Sequence, residues 1–323
     1  MDSIDLSIII VNYNTRDLLH NCLDSIYDTV KEINFEVVVI DNNSTDGSVN
    51  KVKETFPTVK LIENKENDGF PKANNRGIKL VNGKYILLIN PDTIVLPSAI
   101  NKMVACLDAN SNVGAVGPMT LSGSGEISLC SARNFPTVMS VVWWITGLAT
   151  IFPKNKIFGK YYMSFWDHMT TRDIECISGA CMMVRKYILD KCHGFVEVMY
   201  AEDMDLCYRI RKDGWNIRYL SDSKIIHYSK QSSKTIPNSW SVAANESGLI
   251  WFIHKHQGTA SGIIVKSMLL ANHLFRFLVL KLLQARPLSD SETKAAKINK
   301  TMLHKEVFMQ LLKNNESGLP CNK

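Results

Sequence analysis

The first 90 residues of the chain alternate short apolar runs with amphipathic stretches. Runs at residues 6–11, 35–40 and 85–89 are almost entirely apolar, and a shorter one lies at residues 59–63. Runs of this length are typical of strands that are buried on both faces of a parallel sheet. The N-terminal part of the chain is therefore predicted to contain four such strands.

Helices are predicted between these strands. Residues 16–27 carry apolar side chains at helical spacing, and Thr15 is a suitable N-cap for that helix. A second helix should end near residue 55, and a third should cover residues 73–81. This alternation predicts an α/β fold with a right-handed, doubly wound and mostly parallel sheet.

A polar cluster follows three of the predicted strands. These clusters lie at residues 12–15, 41–48 and 90–92. Ligands of doubly wound sheets bind at the carboxyl ends of the strands, so the clusters are candidate binding residues. The glycine-rich fingerprint of dinucleotide-binding domains does not follow the first strand, which argues against that class of protein.

Asp92 closes the sequence Asn90-Pro91-Asp92 after the fourth predicted strand. A carboxylate at this position is a hard oxygen ligand that suits a divalent cation. The same three residues are also good turn chemistry, so from the residues alone both interpretations stay open.

Three carboxylates fall within four residues at Glu202, Asp203 and Asp205. A helical pattern follows them, with Leu206 and Ile210 on its apolar side. Carboxylates at a helix N-terminus suit general-base chemistry, because the helix dipole favours the ionised form. Acidic residues also cap helices without any catalytic role, so a structural interpretation remains.

The length of 323 residues allows one large or two small domains. The eight cysteines are scattered and form no Cys-x-x-Cys pair, which does not favour a zinc site and is typical of reduced thiols. The first residues do not resemble a signal peptide. A cytoplasmic protein is therefore expected, with peripheral attachment to the inner face of the cell membrane as a further possibility.

Positive charge is concentrated at the C-terminus of the chain. Residues 255–323 contain eleven Lys or Arg against four Asp or Glu, whereas the whole chain has a net charge of +6. Residues 263–283 are mostly apolar, and their charged or titratable side chains fall within an arc of roughly 140° on a helical projection. These side chains are Lys266, His273, Arg276 and Lys281.

The charged side chains argue against a membrane-spanning helix at residues 263–283. A helix lying in the plane of an anionic membrane surface fits the pattern, and so does a helix packed on the catalytic domain or on a homodimer partner. A final helix is predicted over residues 291–312. We expect a catalytic domain at residues 1–256 and a basic helical extension at residues 257–323.

Four motifs together resemble the family 2 glycosyltransferases with a GT-A fold, in particular their rhamnosyltransferase-like branch. They occur in the family's order at residues 41–48, 67–77, 90–92 and 202–205. The stretches at residues 133–136 and 164–167 also match that branch. The likeness covers roughly residues 6–227 and implies the GT-A fold.

The resemblance implies a nucleotide site at the ends of the first strands. Asp41 would accept a hydrogen bond from the base, and Gly69 would allow close backbone approach. The complete set implied for the nucleotide and the sugar beside it is Asn12, Tyr13, Asp41, Asn67, Gly69 and Phe70.

The resemblance also implies a divalent metal, Mn²⁺ or Mg²⁺, bound by Asp92 and His227. A lone histidine is more often a satisfied core residue, so this assignment depends on the likeness. The implied pocket for donor sugar and acceptor contains Asn90, Trp166, Ser178 and Gly179. Trp166 is either a platform for a sugar ring or a buried aromatic anchor.

The implied catalytic base is Asp203, with Glu202 as the second candidate. Asp205 would be structural and paired with Arg209. Residues 229–235, which include Lys230 and Lys234, are expected to form a polar loop that could close over the diphosphate.

The expected activity is an inverting, metal-dependent transfer of rhamnose or a hexose from a dTDP- or UDP-sugar. The acceptor would be a hydroxyl of a glycan or lipid-linked molecule in cell-surface polysaccharide synthesis. No nucleic-acid partner is expected. The alternative is a non-catalytic module that binds a nucleotide sugar or a glycan on the same fold.

Overall fold

The computed structural model describes residues 4–229, 237–284 and 291–313. Its strands, in chain order, are β1 (Leu6–Asn12), β2 (Phe35–Asp41), β3 (Lys60–Glu63), β4 (Tyr85–Ile89), β5 (Thr93–Val95), β6 (Val113–Leu121), β7 (Ala132–Arg133), β8 (Arg172–Ile174), β9 (Cys176–Ile177), β10 (Cys181–Arg185) and β11 (Asn216–His227).

The helices lie on both sides of the sheet and at the C-terminus. In chain order they are α1 (Arg16–Thr29), α2 (Ser48–Thr55), α3 (Gly69–Ile78), α4 (Ala99–Ala109), α5 (Val138–Ile145), α6 (Leu148–Ile151), α7 (Lys186–Lys191), α8 (Glu202–Lys212), α9 (Asn238–Gln257), α10 (Thr259–Gln284) and α11 (Ser291–Lys313).

The main sheet has the strand order β3-β2-β1-β4-β10-β6-β11-β5, and β8 pairs with β11. Strands β1 to β4 are parallel to one another, as the alternation of apolar runs predicts. Strand β10 is inserted antiparallel between β4 and β6. The predicted α/β class is confirmed, and the sheet is mixed but mostly parallel.

Both faces of the central strands are buried, which explains their continuous apolar sequences. Along β1, Ile9 packs into the core on one side of the sheet, whereas Ile8 and Ile10 pack into the core on the other side. Alternate side chains of a strand point to opposite faces, so a strand covered on both faces must be apolar throughout.

Helix α3 begins at Gly69, four residues before the position predicted from the apolar pattern. The Asn67 side-chain oxygen accepts a hydrogen bond from the Gly69 N–H at 3.0 Å, and Gly69 has a φ of 74°. Pro71 then lies in the first turn, where its missing N–H costs little. Local turn chemistry therefore fixes the start of this helix.

A buried carboxylate connects α8 to α9. Asp205 is fully buried and accepts hydrogen bonds from Arg209 at 2.6 Å, Lys255 at 3.0 Å and His256 at 2.9 Å. The predicted Asp205–Arg209 pair is confirmed, and two partners from α9 join it. This network fixes the C-terminal helices against the helix that carries the candidate catalytic residues.

The C-terminal helices α10 and α11 pack on α9, and their residues Val265 and Leu269 belong to the same core cluster as the sheet. The boundary that we expect between a catalytic domain and a C-terminal extension, after residue 256, remains a prediction. His273 is buried, contrary to the polar arc expected for α10, because its Nε2 bonds to Glu246 of α9 and its Nδ1 to His304 of α11.

Within the described residues, one helix, Thr259–Gln284, is long and apolar enough to cross a membrane by length and composition. Its buried stripe consists of Gly262, Val265, Leu269 and His273. One side of α10 therefore packs on protein, as expected for a helix that packs on the catalytic domain.

Replacement of Asp205 by Asn should cost about 3 kcal/mol of folding stability, because Arg209, Lys255 and His256 lose a buried carboxylate partner. Burial alone would raise the pKa of Asp205, but His256, Arg209 and Lys255 outweigh it and lower the pKa to about 2. The carboxylate therefore stabilises the fold above its ordinary pKa, and this contribution is lost as the pH falls towards about 2.

Urea unfolding of the two proteins at neutral pH measures this difference. Asp213→Asn is a matched control on an exposed pair with Lys191, and it should cost less than about 1 kcal/mol. Equal losses for the Asp205 and Asp213 variants would contradict the role given to Asp205.

Candidate functional site

The candidate site residues come together at one edge of the sheet. Asn12 and Asp41 are the last residues of the parallel strands β1 and β2, and they are opposite each other in the register. Asn90 follows β4, and His227 ends β11 opposite Thr93 of β5. The topology therefore gathers at one edge residues that lie up to 215 positions apart in the chain.

Asp41 is held rigidly at this edge. It is 2% exposed, and its two carboxylate oxygens accept hydrogen bonds from the Asn12 side chain at 2.7 Å and from the Ser44 N–H at 2.8 Å. Thr15 begins α1 without capping it through its side chain. Its hydroxyl instead donates to the Asn12 side-chain oxygen at 2.6 Å, which fixes the amide that contacts Asp41.

A second polar group supports this region, and the sequence interpretation missed it. Asn64 donates to the side-chain oxygen of Asn42 at 2.8 Å, and Asn42 donates to the carbonyl of Gly69 at 3.3 Å. Arg76 of α3 donates to Asn64. Asn42 and Arg76 lie within two of the recognised motifs, but the contact between those motifs depends on Asn64, which lies outside them.

The segment after Asn67 reaches the predicted catalytic residues. A side chain added at Gly179 would lie 3.4 Å from Asp203 Cβ and 3.7 Å from the Phe70 ring. Phe70 also contacts Phe195, with ring centroids 5.8 Å apart. The structure therefore brings Phe70, Gly179 and Asp203 together.

The two predicted metal ligands are also adjacent. His227 Nε2 lies 3.0 Å from Asp92 Oδ1 and 3.4 Å from the side-chain nitrogen of Asn90. On the other side of the ring, Nδ1 lies 3.2 Å from the Ser229 hydroxyl. A carboxylate oxygen and an imidazole nitrogen at this separation form a donor pair that suits Mn²⁺ or Mg²⁺, with remaining positions for a diphosphate and water.

Asp203 lies inside the first turn of α8, because the N-cap position belongs to Ala201. Its Oδ2 accepts hydrogen bonds from Arg133 Nη2 at 2.8 Å and from the Gly179 N–H at 3.1 Å. The side chains of Asp203 and Arg133 are 13% and 15% exposed. A simple helix cap would not need these two distant partners.

Arg133 was part of a recognised sequence stretch, but no role could be given to it from the sequence. It lies 70 positions before Asp203, on the short strand β7 that pairs with β9. Only this strand pairing places its guanidinium beside the first turn of α8. The sequence signal that could have indicated a role for Arg133 is its position as the first, basic residue of the family-like stretch at residues 133–136.

Glu202 has a different environment from Asp203. Its Oε2 is inaccessible to solvent and has no hydrogen-bond partner among the described residues. Burial, together with the neighbouring charge of Asp203, raises the pKa of Glu202 to about 8. A carboxyl group that holds its proton at neutral pH is less suited than Asp203 to act as the base there.

Trp166 lies in an aromatic cluster at another part of the sheet. Its ring stacks on His168 with centroids 4.2 Å apart, contacts Tyr219 edge-on at 5.1 Å and lies 5.0 Å from the Arg172 guanidinium. Its indole N–H donates to Thr170 at 2.9 Å. These contacts favour the buried-anchor interpretation over the sugar platform.

Ser178 and Gly179 lie just before β10, and the Ser178 N–H donates to the Ser131 carbonyl at 3.3 Å. Tyr13 is partly exposed beyond the end of β1. The predicted loop lysines Lys230 and Lys234 lie outside the described residues. The candidate site thus combines a buried carboxylate after β2, a carboxylate–imidazole pair and a carboxylate paired with arginine.

Comparisons with known proteins show the family and the fold of the chain. A sequence model of the family described as Glycosyl transferase family 2 matches residues 7–192. An N-acetylglucosaminyl-diphospho-decaprenol L-rhamnosyltransferase of Mycobacterium tuberculosis is 27% identical over 176 residues, which are 54% of this chain and 56% of the relative. The chain thus spans about half the length of that relative. Agl10 of Haloferax volcanii, a low-salt glycan biosynthesis hexosyltransferase, is 23% identical over 84% of this chain and 85% of the relative.

Solved structures show the same fold. Mannosyltransferase PcManGT from Pyrobaculum calidifontis, in complex with GDP-Man and Mn²⁺, aligns with a TM-score of 0.57 at 17% identity, over 97% of this chain and 88% of that chain. GalNAc-T7 with UDP, GalNAc and Mn²⁺ aligns with a TM-score of 0.54 at 14% identity, over 78% of this chain and 51% of that chain. The predicted GT-A fold is confirmed.

Replacement of Glu202 by Gln should stabilise the protein at about pH 8, by roughly 2 kcal/mol or more, and change it little at about pH 4.5. The reason is that the raised pKa keeps Glu202 protonated in the folded state while the unfolded chain ionises, so wild-type stability falls as the pH rises between these values. Thermal melting across this pH range measures the effect. A constant difference between variant and wild type would contradict the assignment, and Glu54→Gln serves as an exposed control.

Proposed function

The chain belongs to glycosyl transferase family 2, and from this premise we propose that it transfers a sugar from a nucleoside diphosphate to a hydroxyl acceptor with inversion at the anomeric carbon. Asp203 accepts the proton of the acceptor hydroxyl. The acceptor oxygen then bonds to the anomeric carbon, and the bond from that carbon to the diphosphate oxygen breaks, so that the electron pair leaves on the nucleoside diphosphate.

The observation that carries this proposal is the position of Asp203. Its carboxylate is oriented by Arg133 and the Gly179 N–H, and Gly179 also lies next to Phe70, which belongs to the proposed nucleotide residues. Glu202 is the neighbouring alternative, and its raised pKa makes it the weaker base at neutral pH. The preference for Asp203 therefore rests on orientation as well as on protonation.

Asp41 recognises the base of the donor in this proposal. Its carboxylate is fixed by Asn12 and Ser44, so little rotational freedom would be lost when a base binds. Tyr13, which follows Asn12, and Asn67, whose side chain accepts a hydrogen bond from the Gly69 N–H, would also contact the nucleotide.

Asp92 and His227 would hold a divalent metal, and a bound Mn²⁺ or Mg²⁺ would supply positive charge to the leaving diphosphate. Metal binding through Nε2 of His227 requires the proton on Nδ1, where the Ser229 hydroxyl is in hydrogen-bond range at 3.2 Å. The Asn90 side chain lies 3.4 Å from the same ring nitrogen, next to the proposed metal position. Two glycosyltransferase structures of the same fold contain Mn²⁺, which supports this assignment.

The donor class that we propose is a dTDP- or UDP-linked rhamnose or hexose, and the acceptor is a lipid-linked or cell-surface glycan. The rhamnosyltransferase and hexosyltransferase names of the two relatives support this choice. An enzyme that acts on such acceptors would work in the cytoplasm, at the inner face of the cell membrane.

The variant Asp203→Asn should lower kcat by about 10²–10⁴-fold, because the amide cannot accept the proton from the acceptor. The dissociation constant for the nucleoside diphosphate should stay within about twofold of wild type, since Asp203 is not among the residues proposed to contact the nucleotide. Transfer from a labelled donor and calorimetric titration measure the two quantities. Asp190→Asn, on an exposed pair with Lys186, is the surface control.

Near-normal turnover by Asp203→Asn would exclude this residue as the base. Wild-type protein that binds the nucleotide sugar but transfers nothing to any glycan acceptor would favour the binding-module alternative.

The variants Asp92→Ala and His227→Ala should each remove the Mn²⁺ dependence of nucleoside diphosphate binding, with a loss of about tenfold or more. Calorimetric titration with and without Mn²⁺ measures the effect without any catalytic step. Asp222→Ala, an exposed carboxylate on the same strand as His227, is the matched control. Unchanged Mn²⁺ dependence in both site variants would contradict the metal assignment.

A further inference from the structure

The segment between β7 and β8, residues 134–171, presents apolar side chains to solvent. Ile151, Phe152 and Ile157 are 65%, 51% and 62% exposed. Residues 150–157 are exposed without interruption. A contiguous patch of exposed aliphatic and aromatic side chains is typical of a surface that binds another protein or a membrane.

Positive charge accompanies these apolar side chains. Lys154, Lys156 and Lys160 are exposed in the same segment. Residues 127–166 contain no Asp or Glu at all. The stretch around these lysines therefore lacks the mixed charges of an ordinary soluble surface, and Asp167 is the one acidic residue of the segment.

The outward face of α10 is also apolar and has no acidic residues. Val265 and Leu269 pack on the protein, and the opposite face is exposed and apolar. No Asp or Glu occurs within Thr259–Gln284. The exposed apolar side chains of this face are Ile263, Ile264, Leu274, Phe275, Leu278 and Leu282.

The two surfaces are neighbours in the fold. Helix α5, which begins the β7–β8 segment, packs against α10. Gln257, just before α10, donates to the carbonyl of Pro136, just before α5, at 2.5 Å. The exposed residues of the β7–β8 segment and of α10 are called the apolar–basic surface below.

We propose that the apolar–basic surface docks onto an anionic lipid bilayer, with its apolar side chains in the headgroup boundary and its lysines against lipid phosphates. A second copy of the chain is a poorer occupant, because self-association would bring unbalanced positive charges together.

Docking in the plane of the membrane also preserves the contacts of α10. His273 bonds to Glu246 of α9 and to His304 of α11, and all three side chains belong to the folded bundle. A spanning α10 would break this buried polar group and leave Glu246 without its partner. The same α10 can lie on a bilayer while its inner face stays packed.

The surface is linked closely to the candidate active site. The Asn134 N–H donates to the Tyr161 carbonyl at 2.9 Å, and the Tyr161 hydroxyl lies 3.8 Å from Met204 Sδ. Arg133 precedes this segment and bonds to Asp203. A docked β7–β8 segment would hold Arg133 and Asp203 near the bilayer, where a lipid-linked acceptor would lie, an advantage that rests on the proposed function.

Flotation with lipid vesicles tests the docking directly, in the absence of donor and acceptor. The full chain should bind vesicles of phosphatidylcholine with about 30% phosphatidylglycerol and bind pure phosphatidylcholine weakly. The triple variant Lys154→Gln, Lys156→Gln, Lys160→Gln should lose about 100-fold in partition coefficient, from about fivefold for each lysine.

A matched triple variant controls for charge alone. Lys31→Gln, Lys79→Gln and Lys212→Gln remove the same charge from exposed positions outside the surface and should change binding by less than about fivefold. The variant Ile151→Ser, Phe152→Ser, Ile157→Ser should also weaken binding by tenfold or more. The reason is that three apolar side chains no longer leave water for the bilayer, and each Å² of apolar area contributes about 25 cal/mol. Because all nine positions are exposed, thermal melting should confirm folding.

Three results would overturn the proposal. They are equal loss of binding in both lysine triples, a dimer in solution that ignores anionic vesicles, and wild-type protein that resists extraction from membranes by alkaline carbonate as a spanning protein does. Vesicle binding without any transferase activity would leave the docking surface intact and refute only the proposed function.

Discussion

Three carboxylates share the first turn of α8, and the groups packed around them give each a different role. Asp203 is fixed by a guanidinium and a backbone N–H. Glu202 Oε2 has no such partner in the part of the chain that the structure describes, and the pKa of Glu202 is raised. Asp205 is buried and accepts hydrogen bonds from Arg209, Lys255 and His256. One helix turn therefore combines a candidate base with the attachment point of the C-terminal helices. The rest of the site depends on this turn being held in place.

The attachment has a consequence for the whole molecule. Because Lys255 and His256 of α9 bond to Asp205, the C-terminal helices are fastened to the helix that carries Asp203. Helix α10 packs on α9 and keeps an apolar outer face. If α10 lies on a membrane, these packed helices would fix the orientation of Asp203 relative to that membrane.

The sequence allowed the parallel half of the sheet and the cluster at its edge to be predicted, because buried parallel strands have continuous apolar sequences and ligand residues follow them. It could not show the antiparallel insertion of β10, since a short apolar run has the same appearance in either direction. Arg133 and Asn64 were missed because their partners are distant in the chain and only the folded topology brings them together. His273 was placed on a polar arc because periodicity does not reveal that Glu246 offers it a buried partner.

The claim that this chain is a metal-dependent glycosyltransferase is tested most directly by hydrolysis of a panel of nucleotide sugars in the absence of acceptor. The assay measures the nucleoside diphosphate that is released, with and without Mn²⁺. The account predicts Mn²⁺-dependent release from one class of donor by the wild-type protein, and none from the same donor after Asp92→Ala. Silence across the whole panel, together with nucleoside diphosphate binding that does not respond to Mn²⁺, would contradict it.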